Sequence, residues 1–89
     1  MFKSNILLIT GGTGSFGNAV LNRFLDTEIK EIRIFSRDEK KQDDMRHRLN
    51  NPKVKFYIGN VRNKRSVDYV VRGVDYIFHA SALKHFPIW

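Results

Sequence analysis

The chain has 89 residues, 42% of them apolar, with seven Phe and no Cys; that is room for one small domain, and it excludes a disulfide framework or a thiolate metal site. Sixteen Lys and Arg against nine Asp and Glu leave a net charge of +7, spread without a block of five or six like charges, so a solvated basic surface and a positive field around one polyanionic cofactor both stay open. Nothing aromatic interleaves the basic residues in the manner of a nucleic-acid reader, and no run nears the ~20 apolar residues of a membrane span, so neither partner is expected.

Residues 5–9, "NILLI", form a continuous apolar run, the pattern of a strand buried on both faces. The run is shorter than the ~7–15-residue core of a signal peptide, which fits a cytoplasmic protein. Residues 10–17, "TGGTGSFG", follow it. Residues 16–27 put Phe16, Val20, Leu21, Phe24 and Leu25 on one helical stripe. Residues 31–36, "EIRIFS", read as a second strand. Residues 38–50 are strong helix formers with Asp38 as N-cap and a thin inward stripe of Gln42, Met45 and Leu49. Residues 53–59 alternate, with Val54, Phe56 and Ile58 on one face. Residues 64–73 form a short helix with Val67, Val70 and Val71 inward, ended by Gly73. Residues 74–80, "VDYIFHA", are a fourth strand, and "SALKHFPIW" follows.

The order β-α-β-α-β-α-β with short links predicts an α/β fold, the first half of a Rossmann fold: a parallel sheet of about four strands with three helices. Right-handed crossovers place the first two helices on one face and the third on the other, giving strand order 3-2-1-4.

The glycine run lies at the first strand-to-helix turn, the context in which a G-x-G-x-x-G pattern becomes specific for dinucleotides. Gly11 can take a backbone angle closed to other residues and turn the chain out of the strand. Gly14 lets backbone N–H groups approach a pyrophosphate, and Gly17 lets the helix lie close on the sheet. Thr13 and Ser15 add hydroxyl donors beside the positive helix end. No Lys follows the glycines, so this is not a nucleoside-triphosphatase loop.

The second strand ends in "SRDEKK" (residues 36–41), where the cofactor selector belongs. Arg37, with Lys40 and Lys41 a turn later, suits a phosphate dianion and points to NADP. Asp38 either contacts a ribose hydroxyl or caps its helix. The third strand ends in "GNVRN". Asn60 can accept from the adenine amino group and donate to a ring nitrogen, with the Val61 backbone beside it, or serve as an ordinary turn residue. The fourth strand ends in small residues, Ala80 among them, with Lys84 and His85 beyond.

Taken together, "ITGGTGSFG", "FSRDEKKQ", "IGNVRN" and "HASALKHFPI" resemble, in order and spacing, the nucleotide-sugar 4,6-dehydratases and epimerases of bacterial surface-polysaccharide synthesis. These are extended short-chain dehydrogenase/reductases acting on UDP-N-acetylglucosamine. The resemblance implies tightly bound NADP, hydride removal from C4 of the sugar, loss of water across C5–C6, and return of the hydride. It implies Thr13, Gly14, Ser15 and Phe16 at the pyrophosphate, Ser36 through Lys41 around the adenosine ribose and its 2′-phosphate, and Asn60 and Val61 at adenine. It also implies Ala80 and Lys84 near the nicotinamide half, Lys84 close to substrate as well. The family has Asp where Asn60 stands, Ala at Ser81 and Val at Phe86.

The family's general base is a Tyr four residues before a Lys. Tyr57, Tyr69 and Tyr76 are followed at that spacing by Val61, Gly73 and Ala80. The expectation is therefore that residues 1–89 are a truncated NADP-binding domain without the substrate-binding and catalytic part, inactive alone. UDP-sugar would be a partner only in the full-length family, and the open sheet edge would favour self-association. The alternative is a standalone NADP-binding module for sensing or for assembly with a second chain.

Overall fold

Four short apolar runs, each separated from the next by a helix, pair side by side in one direction. The computed structural model of the chain describes residues 4–11 and 13–80. The strands are β1 (Ile6–Thr10), β2 (Glu31–Ser36), β3 (Val54–Ile58) and β4 (Tyr76–His79); the helices are α1 (Ser15–Leu25), α2 (Glu39–Leu49) and α3 (Lys64–Val70). All pairings are parallel, and the order is β3-β2-β1-β4, as expected. Ile9 of β1 stands opposite Ile34 on one side and Phe78 on the other, so one apolar row crosses the sheet.

Alternation along the strands sorts the core into two unequal layers. Leu7, Ile9, Ile32, Ile34 and Val54 meet Val20 and Leu21 of α1 and Met45 of α2 on one face. The opposite face is thinner. There Leu8 and Phe35 meet Val70 of α3, with Tyr57, Val67, Val71 and Val74 packed around them. Arg33 also emerges on that face. Its guanidinium pairs with Glu31 and donates through Nη1 to the carbonyls of Val70 and Arg72, both at 2.8 Å. The Val70 carbonyl is one of those that the end of α3 leaves without a helical partner, and the Arg72 carbonyl lies in the turn just beyond.

Three expectations need correction. Ile58 continues the inward row of Val54 and Phe56, yet it is 52% exposed. The neighbouring turns of α2 present Glu39, Lys40, Asp43 and Arg46 there, around an open depression, and no apolar side chain among the described residues covers it. Phe16 is also exposed, although its ring meets Phe78 edge-on at 5.6 Å. Finally, α3 stops at Val70 with Val71 as C-cap; Gly73 takes its left-handed φ of 75° in the following turn.

Two helices are capped by side chains. Asn63 Oδ1 accepts from the Ser66 N–H at 3.2 Å, and Asp38 Oδ1 accepts from the Lys41 N–H at 2.9 Å. Asp38→Ala should lower stability by about 1 kcal/mol, a fall of roughly 4–8 °C in the melting midpoint, with Asp38→Asn close to the parent. Thermal melts of the two variants side by side check it. An alanine variant melting with the parent would show that the cap contributes nothing.

Candidate functional site

Because the strands are parallel, their C-terminal ends lie along one edge, and helices α1, α2 and α3 each start there. Ligands of such sheets settle in the crevice outside those ends. A cleft of about 1020 Å³ occupies this place, lined by Gly11 and Thr13 after β1, Phe35, Ser36, Arg37, Asp38 and Glu39 around the end of β2, and residues 59–62 after β3.

The first loop is built by glycine. Gly11 has φ 68°, a left-handed angle that an L side chain resists. There it donates its N–H to the Phe35 carbonyl at 2.8 Å, extending the β1–β2 ladder by one residue, while its own carbonyl accepts from the Gly14 N–H at 3.3 Å. Gly14 is the N-cap of α1 and offers no side-chain bond; the first turn carries no acidic residue. The start of α1 therefore keeps its positive end uncompensated by side chains, in contrast to α2 and α3.

At the second loop, Ser36 and Arg37 face the same cleft. Arg37 is exposed, and among the described residues its guanidinium has no ion-pair partner. The third loop is held by Asn60, whose Oδ1 accepts from the Arg62 N–H at 2.9 Å while its carbonyl accepts from the Asn63 N–H at 2.9 Å. Asn60 is thus a turn residue, and among the described residues its side-chain NH₂ keeps both donors. The cleft lining balances two guanidiniums, Arg37 and Arg62, against two carboxylates, Asp38 and Glu39. The net charge of the chain is not focused here; what the cleft offers is local donors, because the Asp38 carboxylate is already engaged in its cap.

Of the residues expected at a cofactor site, the structure brings Gly11, Thr13, Ser36, Arg37, Asp38, Asn60 and Val61 around one cleft. Gly14, Ser15, Phe16 and Gly17 form the adjoining start of α1 without lining it, and Gly17 is buried. Lys40 and Lys41 are exposed on α2 outside the cleft, and Lys40 faces the depression beside Ile58. Ala80 is buried against the α1–α2 layer at the end of β4. Lys84, Ser81, His85 and Phe86 lie outside the described residues. Sequence reasoning missed Phe35, Gly59 and Arg62 as lining residues, while Glu39 falls inside the stretch from Ser36 through Lys41 expected around the ribose. The available signal was Gly59 itself, a glycine closing a strand directly before Asn60.

Comparison with known proteins adds to this geometry. A family model described as "Polysaccharide biosynthesis protein" matches residues 7–89. A protein of Rickettsia bellii named UDP-glucose 4-epimerase is 69% identical over 91 aligned positions, which cover 98% of this chain and 27% of that protein. The X-ray structure of Pen from Bacillus thuringiensis superposes with a TM-score of 0.87 at 35% identity, covering 96% of this chain and 26% of that one. The Bordetella bronchiseptica enzyme WbmF, solved with NAD+ and UDP, superposes with a TM-score of 0.67 at 17% identity over 88% of this chain and 23% of that one, a likeness of fold alone. The chain thus spans about a quarter of the length of the relatives it matches.

Proposed function

The chain belongs to the polysaccharide biosynthesis protein family, and from that premise we propose that it holds NADP for a nucleotide-sugar epimerase or 4,6-dehydratase. The observation that carries the reading is one cleft lined both by the glycine turn and by the Arg37 guanidinium, which has no ion-pair partner among the described residues.

In this reading the uncapped start of α1, with Thr13 and Ser15, receives the pyrophosphate. Ser36 and Arg37 meet the 2′-phosphate as hydroxyl and guanidinium donors. Lys40 and Lys41 add diffuse positive charge from α2. Asn60 donates its side-chain amide to an adenine ring nitrogen, and exposed Val61 supplies apolar surface for the base. Asp38, committed to its helix cap, has one carboxylate oxygen left to accept from a ribose hydroxyl. Ala80 directly follows the strand that leads toward the nicotinamide half.

The nicotinamide supplies reversible hydride acceptance, the chemistry common to 4-epimerisation and 4,6-dehydration. The name carried by the Rickettsia relatives favours a 4-epimerase acting on a UDP-hexose. No Tyr of this chain stands four residues before a Lys, so its residues bind and orient the cofactor, and the proton-transferring groups belong to other parts of the full-length proteins.

Isothermal calorimetry of the chain with NADP and with NAD tests the proposal. NADP should bind at least roughly tenfold tighter, the effect of one charge-assisted contact. Equal affinities would overturn the 2′-phosphate assignment, and no binding of either would overturn the cofactor reading itself.

A further inference from the structure

Gln42 is the one polar residue of α2 that is fully buried, at 1% exposure, and it sits over the seam between β2 and β3. Its Nε2 donates to the Tyr57 carbonyl at 2.8 Å and to the Ser36 hydroxyl oxygen at 2.9 Å, with a longer approach to the Ser36 carbonyl at 3.4 Å. These acceptors fix which end of the amide is nitrogen, since neither backbone carbonyl can donate. Its Oε1 is buried without a hydrogen-bond partner among the described residues. An apolar side chain of the same size would fill this space and leave no orphaned oxygen. What the amide adds is its donor end.

That donor end acts on a residue of the cleft. A serine hydroxyl has one proton and two acceptor lone pairs. Gln42 occupies an acceptor site of Ser36 from below the cleft. Among the described residues the Ser36 hydroxyl has no other partner, so its proton is left for whatever lies in the cleft that Ser36 lines.

We propose that Gln42 is a positioning residue for cofactor selectivity: by donating to Ser36 Oγ from beneath, it turns the Ser36 O–H into the cleft as a donor to the 2′-phosphate. This deepens the NADP reading and rests on it. A phosphate oxygen is an acceptor without a proton to give, so a hydroxyl held as a donor discriminates for it. A free serine rotor would serve a 2′-hydroxyl nearly as well. Gln42 touches no ligand itself; it acts through Ser36, six residues earlier in the chain.

The test measures binding of 2′,5′-ADP and 5′-AMP to the 89-residue chain. The two probes differ only in the 2′-phosphate, so their affinity ratio reports the selector alone. Gln42→Met keeps the volume and removes the donor; Gln42→Glu keeps the shape and, above neutral pH, replaces the donor with an acceptor that draws the Ser36 proton inward. Each should cut the affinity ratio about tenfold through the 2′,5′-ADP arm, with 5′-AMP unchanged within about twofold. Ser36→Ala should do the same, and Ser36→Ala combined with Gln42→Met should lose no more than either alone. A residue that merely staples β2 to β3 would lower the melting temperature and shift both probes together. Retention of the parental ratio in Ser36→Ala, or in whichever Gln42 variant folds, overturns the inference and leaves the cofactor reading standing. Equal binding of the two probes by the parent chain overturns the cofactor reading, and the inference with it.

Discussion

Arg37→Ala will weaken NADP binding by roughly 10- to 100-fold while NAD binding stays within about twofold, because hydrogen bonds to a charged group are worth about 1.5–3 kcal/mol and only NADP has the extra phosphate to receive them. The size of the effect follows from the surroundings of the guanidinium. Arg37 has no ion-pair partner among the described residues, so nothing inside the protein competes with the ligand for it. Asp38 and Glu39 line the same cleft. Once the guanidinium is gone, only Arg62 of the lining offsets those two carboxylates, and the loss should fall toward the upper end. Added salt should shrink the difference between parent and variant, since the site is open to solvent. Calorimetry of parent and variant with both cofactors checks this. An Arg37→Ala chain that still prefers NADP would move the selector elsewhere, with exposed Lys40 and Lys41 next in line.

The second large effect is on stability. A Cβ added at Gly59 would lie 2.6 Å from Phe35 Cε1, 2.9 Å from Phe35 Cζ and 3.1 Å from Ser66 Cβ. The Phe35 ring cannot swing clear. It is buried between the sheet and α3, against Leu8 and Val70. Gly59→Ala therefore overpacks the thin layer and should cost about 1–3 kcal/mol, or roughly 10 °C in the melting midpoint of a domain this size. Because Phe35 and Gly59 also line the cleft, cofactor affinity should fall with it. Gly73→Ala is the contrasting control. Nothing lies within 4 Å of a Cβ there, and only the positive φ resists the substitution, so it should cost about 1 kcal/mol and leave the cleft intact. A Gly59→Ala chain as stable as the parent would show that α3 yields freely.

The layout of the fold was legible because each level of pattern agrees with the next. The continuous apolar run of β1 forecast a central strand, and its neighbours on both sides are strands. The thin stripe Gln42, Met45 and Leu49 forecast the inward side of α2, and the first two are buried. Periodicity failed where cover runs out. Ile58 keeps the inward phase but sits at the end of an outer strand, beside charged turns of α2. Phe16 lies in the first turn of its helix at the edge of the layer, exposed beside the Phe78 ring.

The candidate site was legible at its glycines and at Arg37, since backbone angle and fixed charge are properties of single residues. The rest depends on pairs distant in sequence. Phe35 and Gly59 are complementary in size only once β2 and β3 are in register. Gln42 looked like one more position on a helical stripe, and its bond to Ser36 exists because the α2 start folds back over the end of β2. Asp38 and Asn60 each carried two readings, and in both the local backbone bond is made.

The inequality of the two core layers bears on how the molecule breathes. The α1–α2 side buries most of the aliphatic core, whereas α3 rests on Leu8 and Phe35 and is tied down by Arg33 reaching the carbonyls of Val70 and Arg72 at its end. A seven-residue helix has little intrinsic stability of its own. Partial opening should therefore begin with α3 lifting from the sheet, at a free energy below that of global unfolding. The ring of Phe35 is then released and the third loop loses its anchor, so the Asn60 side of the cleft fluctuates while the glycine turn, seated on the thicker side, holds its shape. A bound cofactor that spans both ends would act as a clasp, and amide protons of α3 would be the reporters of its grip.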